Sequence, residues 1–205
     1  MIYNKILLKS KGGENLKRKF LAAICAFSAI FLTSCSNSPK KSEERFFAMD
    51  TYMTIEAYGE NAEKSVREAR ERVLELEKLV SVNDNNSEIY ALNHGESPDL
   101  SRDTLELTRK ALEFAAKTNG AFDPTVYPIT AAWGFTTGET RVPDGGKIAL
   151  LLEKVGYEKV SVSGKKVVLQ GGAELDFGGI AKGYASDKCT EIMRNHGVNS
   201  ALINL

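Results

Sequence analysis

The sequence predicts an α+β fold, small mixed or antiparallel sheets packed with several helices, and three observations predict it. Residues 62–80 and 102–118 place apolar side chains at helical spacing. Short β-rich runs stand near residues 46–58 and 200–205, and glycine turns separate short runs between residues 159 and 177. The 205 residues are 42% hydrophobic and 26% charged, enough for one domain with a core. Twenty-seven basic residues balance 27 acidic ones, so no basic footprint for nucleic acid exists. Cys25, Cys35 and Cys189 are too few and scattered for a disulfide framework, and no C-x-x-C motif points to zinc.

The amino terminus differs from the rest. Lys17, Arg18 and Lys19 precede an apolar run from Phe20 to Leu32, short for a membrane span and suited to a signal peptide. Leu32-Thr33-Ser34-Cys35 resembles a bacterial lipobox, in which the cysteine is lipidated and becomes the first mature residue. Residues 1–34 are therefore expected to be a signal peptide. Residues 35–45, polar, charged and containing Pro39, are expected to tether the domain to its lipid. An ordinary secretory signal with an incidental Cys35 is the alternative. On either reading the domain works outside the cytoplasm.

Phe46 to Tyr58 reads as a strand or strand pair ending at Gly59. Asn61 is expected to cap a helix over Ala62 to Val80 whose stripe is Val66, Ala69, Val73, Leu76 and Leu79/Val80; its charged face carries no assigned role. A polar loop, Ser81 to Ser87, leads to a short helix at Glu88 to Asn93. Asp99 or Ser101 caps the next helix, which stops at Asn119-Gly120. Gly120 to Phe135 then reads as a rigid aromatic loop fixed by Pro124 and Pro128, or as a pocket wall with Asp123 and Thr125 as polar anchors. Lys147 to Val155 is expected to be helical, and Lys159 to Val162 and Lys165 to Gln170 form a hairpin turning at Ser163-Gly164.

The most informative stretch is Ala173 to Met193. A short strand, Glu174 to Phe177, carries Asp176 into Gly178-Gly179, and a helix with a stripe of Ala181, Tyr184, Ala185, Cys189, Ile192 and Met193 follows. Paired glycines allow close backbone approach, the helix start offers free N–H groups, and Lys182 adds a mobile positive charge. These features suit a phosphate. A tight connection without ligand is the competing reading. A kinase-type Asp-Phe-Gly is excluded by context, since neither His94 nor His196 precedes Arg-Asp. Both histidines are expected at the surface, and Asp187 is expected to be solvated.

Met49-Asp50-Thr51, G-A-F-D-P-T-V with W-G-F, and D-F-G-G-I-A-K-G-Y-A-S-D, together with the export signal, resemble the bacterial FAD:protein FMN transferases, or ApbE family, from about residue 46 to 205. The resemblance implies Mg2+-dependent cleavage of the FAD pyrophosphate and transfer of FMN to a threonine or serine of a target protein, with release of AMP. It places Met49, Ala121, Phe122, Asp123, Asp176 and Lys182 on FAD, and Gly179, through its carbonyl, at the metal. Asn83 falls where relatives often have tyrosine, so an amide hydrogen bond replaces ring stacking. The chain stops inside the apolar run Ser200 to Leu205, which predicts a domain truncated at its C-terminus and inactive by itself for want of further metal ligands. A non-catalytic flavin-binding lipoprotein, an FAD hydrolase and a cofactor-free structural lipoprotein are the other readings.

Overall fold

The computed structural model describes residues 40–205 apart from residue 137. The signal peptide, its lipobox and Cys35 lie outside the described residues.

Two strands, β1 (Lys41–Ala48) and β2 (Thr51–Tyr58), form an antiparallel hairpin that β5 (Ser200–Asn204) extends on the β2 side, in the order β1-β2-β5. The first strand begins earlier than expected, inside the stretch read as tether. Its polar half pairs because the hairpin carries its own charge partners: Lys41 Nζ bridges Glu43 at 2.8 Å and Glu56 at 2.6 Å. Farther along, Phe46 and Ala48 turn inward, and Met53, Ile55 and Ala57 do the same on β2.

Helix α1 (Ala62–Val80) lies on the inner face of this sheet through Val66, Ala69, Val73 and Leu76, all essentially buried. Burying each of the valine and leucine side chains contributes about 1.5–3 kcal/mol. Asn61 stands at the cap position but makes no side-chain cap; its amide donates instead to the His196 carbonyl at 2.9 Å. The short α2 (Glu88–Asn93) is capped by Ser87, and α3 (Arg102–Lys117) by Ser101, which thereby prevails over Asp99. Glu88 holds that cap by accepting from the Ser101 N–H at 2.9 Å and its hydroxyl at 3.0 Å.

The segment read as an aromatic loop contains a helix, α4 (Tyr127–Trp133). Pro128 sits in its first turn, where a missing N–H has no partner to lose, and Gly134 ends it with φ of 76°. Helix α5 (Gly145–Leu152), capped by Asp144, starts two residues earlier than expected and buries no side chain fully. Strands β3 (Val160–Ser163) and β4 (Lys166–Leu169) pair around Gly164-Lys165, one residue later than the expected turn. Helix α6 (Ala181–Asn195) follows the expected stripe and packs on α1, where Ala69, Ala185 and Cys189 allow close approach. The Cys189 thiol reaches the Ala69 carbonyl at 3.7 Å, and burial pushes it up to about 11.

The strand expected at Glu174 to Phe177 is reduced to a single bridge from Glu174 to Val126. Its in-out alternation persists, with Ala173, Leu175 and Phe177 buried. Its ladder partners are replaced: Asn93 donates to the Leu175 carbonyl at 2.8 Å and accepts its N–H at 2.7 Å, while the Asp176 N–H donates to the Pro124 carbonyl at 2.8 Å. A side-chain amide here does the work of a neighbouring strand.

Candidate functional site

A cleft of about 290 Å³ opens where three distant segments meet. The β1–β2 turn contributes Met49 and Asp50, the end of α1 and its following loop contribute Glu77, Val80 and residues 81–83, and the α6 approach contributes Asp176, Phe177, Gly178 and Ala181. Of the residues expected on the cofactor, Met49, Asn83 and Asp176 line it.

The turn is unusual in its residues. Met49 and Asp50 have φ of 48° and 57°, both left-handed, as a two-residue hairpin connection of the primed kind demands. Asn-Gly normally fills such a turn. A non-glycine residue there costs roughly 1–2 kcal/mol relative to the right-handed region, and Met gains none of the local bonding that helps Asn. A carboxylate offsets the cost: the Met49 N–H donates to Glu77 Oε1 at 2.6 Å.

Asp176 is committed largely to loop geometry. Its Oδ1 accepts the Gly178 N–H at 2.7 Å, bending the chain into the Gly-Gly turn, and its Oδ2 accepts from the Thr130 hydroxyl of α4 at 3.3 Å. Gly179 is open to solvent in front and backed by Phe122, whose ring would stand 3.1 Å from an added Cβ. Helix α6 then begins at Ala181, and Ile180 at its N-cap provides no side-chain cap. The Ile180 and Ala181 N–H groups donate to the Phe177 carbonyl at 2.9 and 2.7 Å, so what the helix start offers an anion beside the cleft is chiefly the positive end of its dipole. Lys182, in its first turn, donates to the Thr51 hydroxyl, the residue following the Met49-Asp50 turn.

Of the expected residues, Gly179 and Lys182 stand beside the cleft lining rather than in it, and Ala121, Phe122 and Asp123 also stand apart from it. Ala121 is exposed and tied to the Thr118 carbonyl. Asp123 spends both oxygens internally, accepting from the Thr125 N–H at 2.8 Å, from the Thr125 hydroxyl at 2.6 Å and from the Tyr157 N–H at 2.9 Å. Thr125 in turn accepts from the Gly156 N–H at 2.7 Å, so the polar anchors of this segment are architectural. Phe122 packs edge-on to Phe114 at 5.5 Å and serves as the floor under the Gly-Gly turn. Trp133 and Phe135 stack in parallel at 5.9 Å, and Asn83 fastens their segment to the cleft rim by donating to the Thr136 carbonyl at 2.7 Å. The Asn83 amide is thus engaged within the protein.

Among the described residues no three carboxylate, histidine or cysteine side chains converge on one point. Gly179 offers one backbone carbonyl, so the described residues do not by themselves make a shell for Mg2+. The histidines are structural: His94 stacks on Tyr90 at 3.8 Å, and His196, at the end of α6, meets Glu68 at 2.6 Å. Asp187 is exposed, as expected. Glu77 and Thr130 escaped the sequence reading, and Asp50 and Thr51 entered it only as part of the Met49-Asp50-Thr51 motif, without a role of their own. Met49 and Asp50, inside the run read as a strand or strand pair, form instead the turn between β1 and β2 on which Glu77, Asp50 and Thr51 depend.

The profile of the ApbE family matches residues 49–205. The chain is 31% identical over 170 residues to an FAD:protein FMN transferase of Treponema pallidum, covering 76% of this chain and 47% of that protein. In fold it is similar to the ApbE protein of Thermotoga maritima, with a TM-score of 0.74 at 30% identity over 79% of this chain and 55% of the other. The apo flavinyl transferase ApbE of Pseudomonas stutzeri gives a TM-score of 0.74 at 25% identity over 82% and 56%. The chain spans about half the length of these relatives. The fold agrees with the profile match over residues 49–205, and the chain belongs to the ApbE family.

Proposed function

We propose that these residues form the FAD-binding part of an FAD:protein FMN transferase. The observation that carries this reading is the cleft that gathers Met49, Asn83 and Asp176 beside the uncapped start of α6. In the proposed reaction a threonine or serine hydroxyl oxygen of an acceptor protein bonds to the flavin-side phosphorus of FAD. The bridging P–O bond breaks, AMP departs with the bridging oxygen, and the hydroxyl proton passes to a base. Such chemistry depends on holding the pyrophosphate still and offsetting its charge.

The residues divide that task. Asp176 shapes the Gly178-Gly179 turn so that the positive end of the α6 dipole faces the phosphates, and Lys182, swinging from Thr51, supplies a positive charge. The apolar sides of Met49, Val80 and Phe177 give a flat ring a surface to rest on. Mg2+, which the family resemblance implies, would neutralise pyrophosphate charge; Gly179 would offer it a carbonyl. The lipobox at Cys35 supports export and attachment to a bacterial membrane, where the acceptor would also reside.

The reading is tested by titrating FAD into the purified protein and following flavin fluorescence. The wild type is expected to bind, and Asp176→Ala and Lys182→Ala are each expected to weaken binding about tenfold. Covalent flavin on an acceptor threonine with equimolar AMP would establish transfer. AMP without covalent flavin would instead identify a hydrolase, and absence of FAD binding would overturn the proposal.

A further inference from the structure

We propose that Glu77 is a positioning residue of the nucleotide cleft: its carboxylate holds the Met49-Asp50 turn in the left-handed conformation that presents Met49 to the ligand and Thr51 to Lys182. The inference rests on the flavin-binding reading above and adds a residue that no motif contains.

Three observations converge. Met49 and Asp50 both occupy left-handed backbone, with φ of 48° and 57°, although neither is glycine. The Met49 N–H, at the first of these positions, donates to Glu77 Oε1 at 2.6 Å, a contact between residues 28 apart in sequence. Glu77 itself rests on rigid structure, one residue after buried Leu76 and three before buried Val80 on the helix that underlies the sheet. A fixed acceptor on a packed helix therefore selects the turn conformation.

The consequence reaches both walls of the site. Met49, Asp50 and Glu77 line the cleft together, and Thr51, the next residue, accepts from Lys182 Nζ in the first turn of α6. If the turn relaxes to right-handed backbone, Met49 leaves the lining and Lys182 loses the hydroxyl that aims it. Glu77 acts through the turn, without needing contact with the ligand.

A double-mutant cycle in the 205-residue chain tests this. Glu77→Ala should weaken FAD binding about tenfold, the value of one unsupported left-handed residue. Glu77→Gln should stay within about threefold of wild type, because its amide oxygen still accepts from the Met49 N–H. In an Asp50→Gly background, where glycine tolerates the turn unaided, Glu77→Ala should have a clearly smaller effect than in the wild-type background. Backbone NMR supplies a readout independent of flavin: the slowly exchanging Met49 amide and the positive-φ couplings of residues 49 and 50 should disappear in Glu77→Ala and persist in Glu77→Gln. An unchanged turn in Glu77→Ala, or an undiminished Glu77→Ala penalty in the Asp50→Gly background, overturns the proposal. A wild-type chain that shows the Glu77-dependent turn yet ignores FAD refutes the flavin reading and with it the assignment of the turn to a nucleotide cleft.

Discussion

At the scale of single residues, a motif's position and a side chain's task separate. Asp123 and Asp176 both stand in motifs that resemble cofactor-binding ones, yet Asp123 turns its oxygens toward Thr125 and Tyr157 while Asp176 faces the cleft. Their spacing along the chain marked both as important. Which way each points is decided by local donors two residues downstream and by a Tyr157 N–H brought in from afar, and no sequence pattern encodes the latter. Gly134 illustrates a residue whose requirement is geometric. It closes α4 at φ of 76°, and an added Cβ would lie 1.9 Å from the Glu139 carbonyl oxygen. Gly134→Ala is expected to destabilise the protein by about 2–4 kcal/mol. At roughly 2–4 °C per kcal/mol for a chain of this size, calorimetry should record a fall in melting temperature of at least 4 °C. The sequence read W-G-F as a motif, but only the fold shows that this glycine lets the chain double back beside Asn83.

Elements are joined by charge as well as by apolar contact. Arg72 of α1 pairs with Asp103 of α3, Tyr184 of α6 donates between Asp103 at 3.0 Å and Glu106 at 3.1 Å, and Lys188 of α6 reaches Glu106 at 3.2 Å. Burial alone would raise the Asp103 carboxyl, but the hydrogen bonds from Arg72 and Tyr184 outweigh it and hold Asp103 below its ordinary value of 3.8. For the Tyr184 phenol, burial comes first and the neighbouring Asp103 carboxylate second, and both push it upward, so it remains a donor. A carboxylate depressed in the folded state stabilises above its unfolded value, and that stabilisation is lost as the pH falls through the folded value. Asp103→Asn should therefore lower the melting temperature at pH 7, and the gap from wild type should close as the pH drops below about 4. A gap constant from pH 7 to pH 3 would rule out the helix tie as an ionic one. The three helices themselves were legible because their apolar stripes run at helical spacing for four or more turns. Helix α4 was not, since its seven residues include a proline and too few turns to establish a period.

Across the whole molecule, burial is uneven. The inner positions of β2, the facing stripe of α1 and the Ala185–Cys189 face of α6 are excluded from solvent, whereas α5 leaves Leu150 at 67% and Leu152 at 54% exposure. Amide exchange should follow this gradient, with Met53, Ile55 and Ala57 among the slowest and the amides of α5 fastest. Exchange of α5 as slow as β2 would contradict the arrangement. Fold class was readable from the alternation of runs and stripes, but the sheet order was not, because nothing local indicates that the strand at residue 200 lies against β2. That pairing has a kinetic meaning. Strands β2 and β5 stand roughly 145 residues apart, so their ladder closes a loop encompassing nearly every other described element. A chain emerging from the ribosome can close the β1–β2 hairpin at once, but it must keep one edge of β2 unpaired until residues 200–204 have been made. The most buried strand is thus also the one longest at risk of pairing with another chain, and slow translation before residue 200 should favour misassembly over folding.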